Sequence, residues 1–424
     1  MMLIFLAAWF ALLLIGTPIG FSLGIACFGF LWVEGGAMAS MPQRMFAALD
    51  SFPLLAVPAF VLAGELMNTG GVTRRIVNFS KTLVGHIPGG LGHVNVVSNV
   101  IASGMSGSAL ADAAGVGSVL IKSMKEDGFP ASFAGCLTAA ACIIGPLIPP
   151  SIPFVIYAVI SGASVGKLFL AGFTPGILTA IALMVFVYFA AKRRGYPQHP
   201  RASLRQIAAA FKTAFMALMT PVIIMGGIFG GVFTPTEAAA ATALYALVLG
   251  LFVYRDLSWR DLPRVFANAA RTTAVVAFIV AAANMVSYVL TRERIPQMLT
   301  ESLTSFSDNP LVILLIINVL LLILGCFMDS LAIMILTVPV LVPLTQHLGI
   351  DPVHFGVVMV LNLMIGLLTP PFGMALFVVS RVGDIPFDML ARDIWPFIGA
   401  LLVVLLICTL FPGLVMYLPN LVFR

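Results

Sequence analysis

The chain has 424 residues, of which 61% are hydrophobic and only 9% charged, with a formal net charge of +5; its mean hydropathy is +1.10. This composition excludes a soluble globular domain and places the chain in a lipid bilayer, where Lys and Arg mark cytoplasmic loops rather than affinity for nucleic acid. The five cysteines (27, 136, 142, 326, 408) lie in apolar segments without CxxC spacing and read as buried free thiols. No GxxxxGK[ST] loop is present, since Gly162-Ala-Ser-Val-Gly-Lys167 fails the pattern, which argues against transport driven by an ATP site of this chain.

The apolar N-terminus has no basic n-region and no small-residue cleavage site, so it reads as a retained membrane segment rather than a signal peptide. Spans are expected over 3–15, 18–33 and 52–69, with 42–50 and 71–90 as amphipathic or interfacial pieces. Residues 92–124 are apolar too, but as one helix they would run ~50 Å, beyond a ~30 Å hydrocarbon core. With the flexible Ser103-Gly-Met-Ser-Gly-Ser108 at its centre, this stretch predicts a re-entrant helical hairpin. A helix over 131–165 follows, broken by Gly145-Pro-Leu-Ile-Pro-Pro-Ser151, and then a span over 168–191. A basic linker closes the first half (1–195): Lys192, Arg193, Arg194, Arg201, Arg205 and Lys212 surround and fill residues 196–212.

The second half (213–424) repeats this order, with spans over 215–231, 235–254 and 272–290, a hairpin over 310–345, a broken helix over 354–383 and a last span over 388–411. Its break reads Gly366-Leu-Leu-Thr-Pro-Pro-Phe372, 221 residues after the first. Thr17-Pro18 answers Thr234-Pro235, Pro42 answers Pro263, Gly104 answers Gly325 and Pro175 answers Pro396, all at offsets between 217 and 222. Shared order and offset point to an internal duplication. About five spans plus one hairpin per repeat is an odd number of crossings, so the second repeat must insert upside-down. With the basic linker placed in the cytoplasm, 17 of the 22 Lys and Arg fall inside and 5 outside, as the positive-inside rule requires. The expected fold is an all-α integral membrane protein built of two inverted-topology repeats.

Proline lacks a backbone N–H, so Pro149 and Pro150 leave the carbonyls of Gly145 and Pro146 without helical partners, and Pro370 and Pro371 do the same for Gly366 and Leu367. In hydrocarbon such groups are tolerated only where they are buried in protein or line a wet cavity. Paired broken helices in corresponding halves point to a transporter's binding site. Asp329, in Gly325-Cys-Phe-Met-Asp-Ser-Leu331 at the second hairpin tip, is an intramembrane carboxylate and so a functional candidate, with a backbone-capping role as the alternative. Ser108 and Ser151 are candidates for hydrogen bonds to a substrate. Asp112 reads as structural, Glu65 as an ion-pair partner of Arg74 or Arg75, and amides such as Asn318 as bonds between helices.

Ala63-Gly-Glu-Leu-Met-Asn-Thr-Gly-Gly71, the Ser-Gly-Ser tip with Ala111-Asp112, Gly145-Pro-Leu-Ile-Pro-Pro150 and Leu368-Thr-Pro-Pro371 together resemble the large membrane subunit of TRAP transporters, across essentially the whole chain. The resemblance implies an elevator-type transporter of the bacterial inner membrane, coupled to sodium. Its partners would be a small four-helix membrane subunit and a periplasmic binding protein that delivers an organic anion. C4-dicarboxylates, other small carboxylates, sulfonates and sialic acid are the candidate substrates. No organic cofactor is expected. Sodium prefers oxygen ligands, and broken helices offer them. On that reading Ser103 and Ser106 with the carbonyls of Gly145, Ile148 and Pro150 form one sodium site, and Gly325, Gly366, Thr369 and Phe372 form its symmetric counterpart, for two ions or more.

Two rivals stand beside this reading. Gly104-Met-Ser-Gly107 matches the GxSG of intramembrane serine proteases, but such an enzyme needs a histidine at the depth of the serine, and neither His93 nor His354 fits. A single-component sodium/dicarboxylate or sodium/proton carrier of the same superfamily would share repeats, hairpins and broken helices.

Overall fold

The computed structural model describes residues 7–9, 11–12, 15–35, 38–307 and 309–423, apart from the side chains of residues 300 and 302–306. The span expected over 3–15 falls largely outside them. Every regular element among the described residues is helical. Among the described residues six helices are long and apolar enough to cross a bilayer: Phe52–Thr69, Val165–Arg194, Leu204–Phe229, Pro235–Tyr254, Leu262–Arg292 and Ser330–His347. The segment expected over 388–411 is a pair, Phe387–Asp393 and Trp395–Leu410, bent by 48°.

Local sequence explains where the elements start and stop. Residues 92–124 form two helical arms, Gly90–Ser106 and Ala109–Glu126, joined at Gly107, whose left-handed conformation (φ 60°) disfavours a side chain. The second hairpin pairs Pro310–Gly325 with Ser330–His347. Each Pro-Pro phrase separates two half-helices, Ala131–Cys142 from Ile152–Ser161 and Pro352–Gly366 from Met374–Gly383; both Pro-Pro bonds are cis.

Three sequence expectations change. The linker is shorter than 196–212, because Ser203 and Gln206 form a reciprocal capping box that starts a helix at Leu204 and carries Arg205 and Lys212 on it. The span expected over 272–290 is one continuous helix, Leu262–Arg292. At the same offset in the first half the helix is interrupted at Asp50 and Ser51, where Ser51 is extended and Pro53 follows. Arg75 pairs not with Glu65 but with Asp256, at 2.5 Å, and its guanidinium lies 3.8 Å from the centre of the Tyr254 ring.

The hairpins and breaks interlock. Ala109–Glu126 packs on Ala131–Cys142 and on Met374–Gly383, whereas Ser330–His347 packs on Pro352–Gly366 and on Ile152–Ser161. Each hairpin thus rests on both broken helices, and the four elements close around one centre. Around them Ala56–Thr69 packs on Pro235–Val248, and Leu262–Arg292 packs on Ile19–Val33, Ser40–Leu49 and Ala56–Thr69.

Buried amides brace the bundle in two similar clusters. Asn95 donates to Thr138 Oγ1 at 2.7 Å and Asn99 donates to Asn95 Oδ1 at 2.9 Å. Asn318 donates to Thr409 Oγ1 at 3.0 Å and receives the Asn362 amide at 2.9 Å. Removing one member of such a network strands its partners. Asn318→Leu is therefore predicted to lower stability by about 1–3 kcal/mol, seen as an earlier thermal unfolding midpoint of the detergent-solubilised chain. Asn284→Leu, at an exposed position, leaves that midpoint in place.

Candidate binding site between hairpin tips and helix breaks

Four half-helices begin in the middle of the molecule, and each begins with a residue suited to that end. Ser108 accepts the Ala111 N–H at 3.4 Å, Ser151 accepts the Phe154 N–H at 3.2 Å and Asp329 accepts the Leu331 N–H at 2.9 Å. Gly373, left-handed at φ 49°, opens the fourth. The three residues that the sequence marks for substrate contact are thus all N-caps. They satisfy backbone donors that hydrocarbon would leave bare.

The four N-terminal ends reach one cavity of about 1090 Å³, at Ser108, Ile152, Asp329 and Met374. Helix N-termini carry partial positive charge, so their convergence favours an anion there. The opposite wall is formed by Pro18 and Phe21 from one helix and by Arg271, Thr272 and Phe278 from Leu262–Arg292. Ser108 and Asp329 are on the cavity wall. Ser151 is not: it is fully buried, donating to the Pro146 carbonyl at 2.5 Å while it caps Phe154.

At the first junction, hairpin tip and break touch. A Cβ on Gly107 would come within 2.5 Å of the Pro150 carbonyl oxygen, and the Ile152 N–H points to the Gly107 carbonyl at 3.5 Å. Ser103, Ser106, Gly145, Ile148 and Pro150 are all buried. Ser103 already donates to the Val100 carbonyl of its own helix at 2.5 Å, leaving its lone pairs available to a cation. Asp112, read from sequence as structural, stands at the centre of this junction. It is 1% exposed, one carboxylate oxygen receives Ser106 Oγ at 2.5 Å, and the other has no hydrogen-bond partner among the described residues. That free oxygen fills the space where a Gly145 side chain would be. A fully buried, half-satisfied carboxylate beside the unbonded Gly145 carbonyl suits a small cation. What marks Asp112 in the sequence is its place in the first turn after the hairpin tip.

At the second junction Gly325 and Gly366 meet backbone to backbone, so that a Cβ on Gly366 would lie 2.8 Å from the Gly325 Cα. Thr369 is partly exposed and donates to the Ile365 carbonyl at 3.0 Å. Phe372 is exposed and its ring lies 6.2 Å from that of Phe327. The carbonyls freed by proline are mostly re-satisfied. Pro146 receives Ser151, Gly366 receives the Thr369 N–H at 3.0 Å, and Leu367 receives the Ala375 N–H at 3.1 Å. Among the described residues only the Gly145 carbonyl of the four receives no hydrogen bond.

The arrangement is that of a membrane carrier, with broken helices and hairpin tips enclosing a central cavity. Residues 6–414 match the family model for the tripartite ATP-independent periplasmic transporter, DctM component, and the chain belongs to that family, as a large permease subunit and a multi-pass protein of the inner membrane rather than an enzyme. It is 54% identical over 414 residues, 97% of each chain, to the sialic acid TRAP transporter large permease protein SiaM of Vibrio cholerae. It is 45% identical over 417 residues to the sialic acid TRAP transporter permease protein SiaT of Haemophilus influenzae, covering 98% of this chain and 68% of that one. In fold it is similar to the YdaH transporter of Alcanivorax borkumensis, with a TM-score of 0.63 over 88% of this chain and 87% of that one at 12% identity.

The contact between Gly325 and Gly366 allows no added carbon. Gly366→Ala is predicted to push hairpin tip and break apart and to lower the thermal midpoint by an amount typical of overpacking, about 1–3 kcal/mol. Gly399→Ala, with open space around it, leaves the midpoint within error in the same assay.

Proposed function

We propose that this chain is the membrane core of a sodium-coupled uptake system for a small organic anion, sialic acid foremost, delivered by a periplasmic binding protein. The observation that carries the reading is the pair of tip-and-break junctions, each of which gathers backbone oxygens and hydroxyls beside one cavity where four helix N-termini converge. The cation chemistry and the anion chemistry are then adjacent, as coupling requires. Two of the chain's close relatives are named for sialic acid, which supports that substrate over the other carboxylates and sulfonates. The word "large" in the name of the Vibrio relative supports a small membrane subunit as partner.

Sodium at the first junction would use Ser103, Ser106 and the carbonyls of Gly145, Ile148 and Pro150, with Asp112 supplying the negative charge. At the second it would use Gly325, Gly366, Thr369 and Phe372. The inverted-repeat reading is supported by the constant sequence offset and by the same order of hairpin, break and span in both halves. With the basic linker in the cytoplasm, the wall carrying Pro18 and Arg271 lies on the cytoplasmic side and the cavity opens inward. An elevator motion is supported by close glycine contacts between the hairpin and its surroundings. Gly104 sits on Pro221, where a Cβ would come within 2.6 Å, and Gly64 faces the Ser106 backbone, with 3.4 Å to Cα. Smooth surfaces of this kind let one body slide past another.

The test is uptake by proteoliposomes. Transport of sialic acid is expected only when an inward sodium gradient, the small subunit and the loaded binding protein are all present. Robust uptake by this chain alone would move the reading to a single-component carrier. Asp329→Ala removes both a cap and a cavity wall group, and is expected to abolish uptake while the protein still elutes as a folded species. Asp112→Asn is expected to raise the sodium concentration for half-maximal uptake at least about tenfold, equivalent to about 1.4 kcal/mol of binding. Wild-type sodium dependence in that variant would remove Asp112 from the site.

A further inference from the structure

We propose that Arg271 is the cationic residue that receives the substrate's carboxylate on the cytoplasmic side of the cavity; this rests on the inward-open, anion-carrying reading above. Only two charged residues line the cavity, Arg271 and Asp329. Asp329 is tied to the Leu331 N–H as a helix cap and offers a carboxylate no cationic partner. That leaves Arg271 as the cavity's one full positive charge among the described residues.

Arg271 is also uncommitted, unlike other arginines of the surrounding helices. Arg75 is paired with Asp256 and stacked on Tyr254, Arg44 stacks on Tyr288 with 3.8 Å to the ring centre, and Arg264 meets Asp261 at 3.5 Å. Arg271 is exposed and makes no ion pair or hydrogen bond among the described residues. Its wall neighbours Val275, Val276 and Phe278 are apolar and offer it no partner.

The position suits the role. Leu262–Arg292 has 31 residues, hence a length of ~46 Å against a ~30 Å core, and Arg271 falls about where the helix enters the hydrocarbon. Its helix packs tightly on its neighbour, where Gly20 is so close to Phe278 that a Cβ there would lie 2.6 Å from the ring. The guanidinium lines the same cavity as the hairpin-tip residues Ser108 and Asp329. Its planar fork matches a carboxylate with two parallel hydrogen bonds. The anion would pass from the helix N-termini at the tips to Arg271 and then to the cytoplasm.

The test uses proteoliposomes holding the complete system, preloaded with unlabelled sialic acid, and reads the internal concentration that halves uptake. Arg271→Gln is expected to raise it at least tenfold while half-saturation by external loaded binding protein and by sodium stays within twofold. Arg271→Cys, in a Cys326→Ser background with the other cysteines buried, is expected to behave like the glutamine variant. Modification with a cationic aminoethyl thiosulfonate should restore inhibition, and the anionic sulfonatoethyl reagent should not. Half-inhibition unchanged in Arg271→Gln, or equal behaviour of the two reagents, overturns the proposal. A second arm needs no transport: sialic acid should raise the thermal midpoint of the purified wild-type chain and not that of Arg271→Gln. Equal stabilisation of both would overturn it as well. Absence of sodium-driven uptake by the wild type, with the midpoint difference intact, would count against the coupling and leave Arg271 as an anion site.

Discussion

The constraint on which this structure depends is that no backbone donor or acceptor can be left bare in a hydrocarbon interior. A helix that spans satisfies it automatically, whereas a helix that begins in the middle does not. This chain begins four there; the side chains of Ser108, Ser151 and Asp329 cap three of them, and Gly373 opens the fourth. Once the donors are satisfied, the four positive ends can share one cavity. Of the four carbonyls that the prolines free, the Gly145 carbonyl alone receives no hydrogen bond among the described residues, and it lies at the first junction beside Asp112.

The two junctions solve the same problem differently. The first is sealed, and a buried carboxylate, Asp112, stands among the oxygens with one of its own unsatisfied. The second has glycine backbones in direct contact, with Thr369 partly exposed and Phe372 exposed on the cavity wall. A charge in the sealed site is consistent with the higher desolvation a cation meets there. An open site can rely on backbone dipoles and water. On the proposed reading the pair would form two cation sites of unequal depth beside the central cavity.

Much of this was legible in the sequence, for identifiable reasons. The helix breaks follow from proline chemistry and the hairpin from a stretch too long for the membrane with Gly107 near its middle. The helical, multi-pass class follows from composition. What escaped was set by contacts between distant segments. Asp112 looked structural because nothing local shows that its side chain meets Gly145, 33 residues on. Ser151 looked like a cavity residue because its hydroxyl's use on Pro146 depends on the turn geometry. Glu65 lost Arg75 to Asp256, a partner from the other half of the chain. The proline count gave four orphan carbonyls, yet the turns re-satisfy three of them. Charge asymmetry assigns Arg271 to the cytoplasmic side, but its opening onto the cavity depends on the packing of Ile19–Val33 against Leu262–Arg292, which the sequence does not show.

The central claim is that the tip-and-break junctions are cation sites, and the most direct measurement is equilibrium binding of radioactive sodium to the purified chain. The account predicts at least two ions per chain, with Gly145→Ala and Gly366→Ala each removing one and leaving the other. No bound sodium, or a stoichiometry that neither substitution changes, would contradict it.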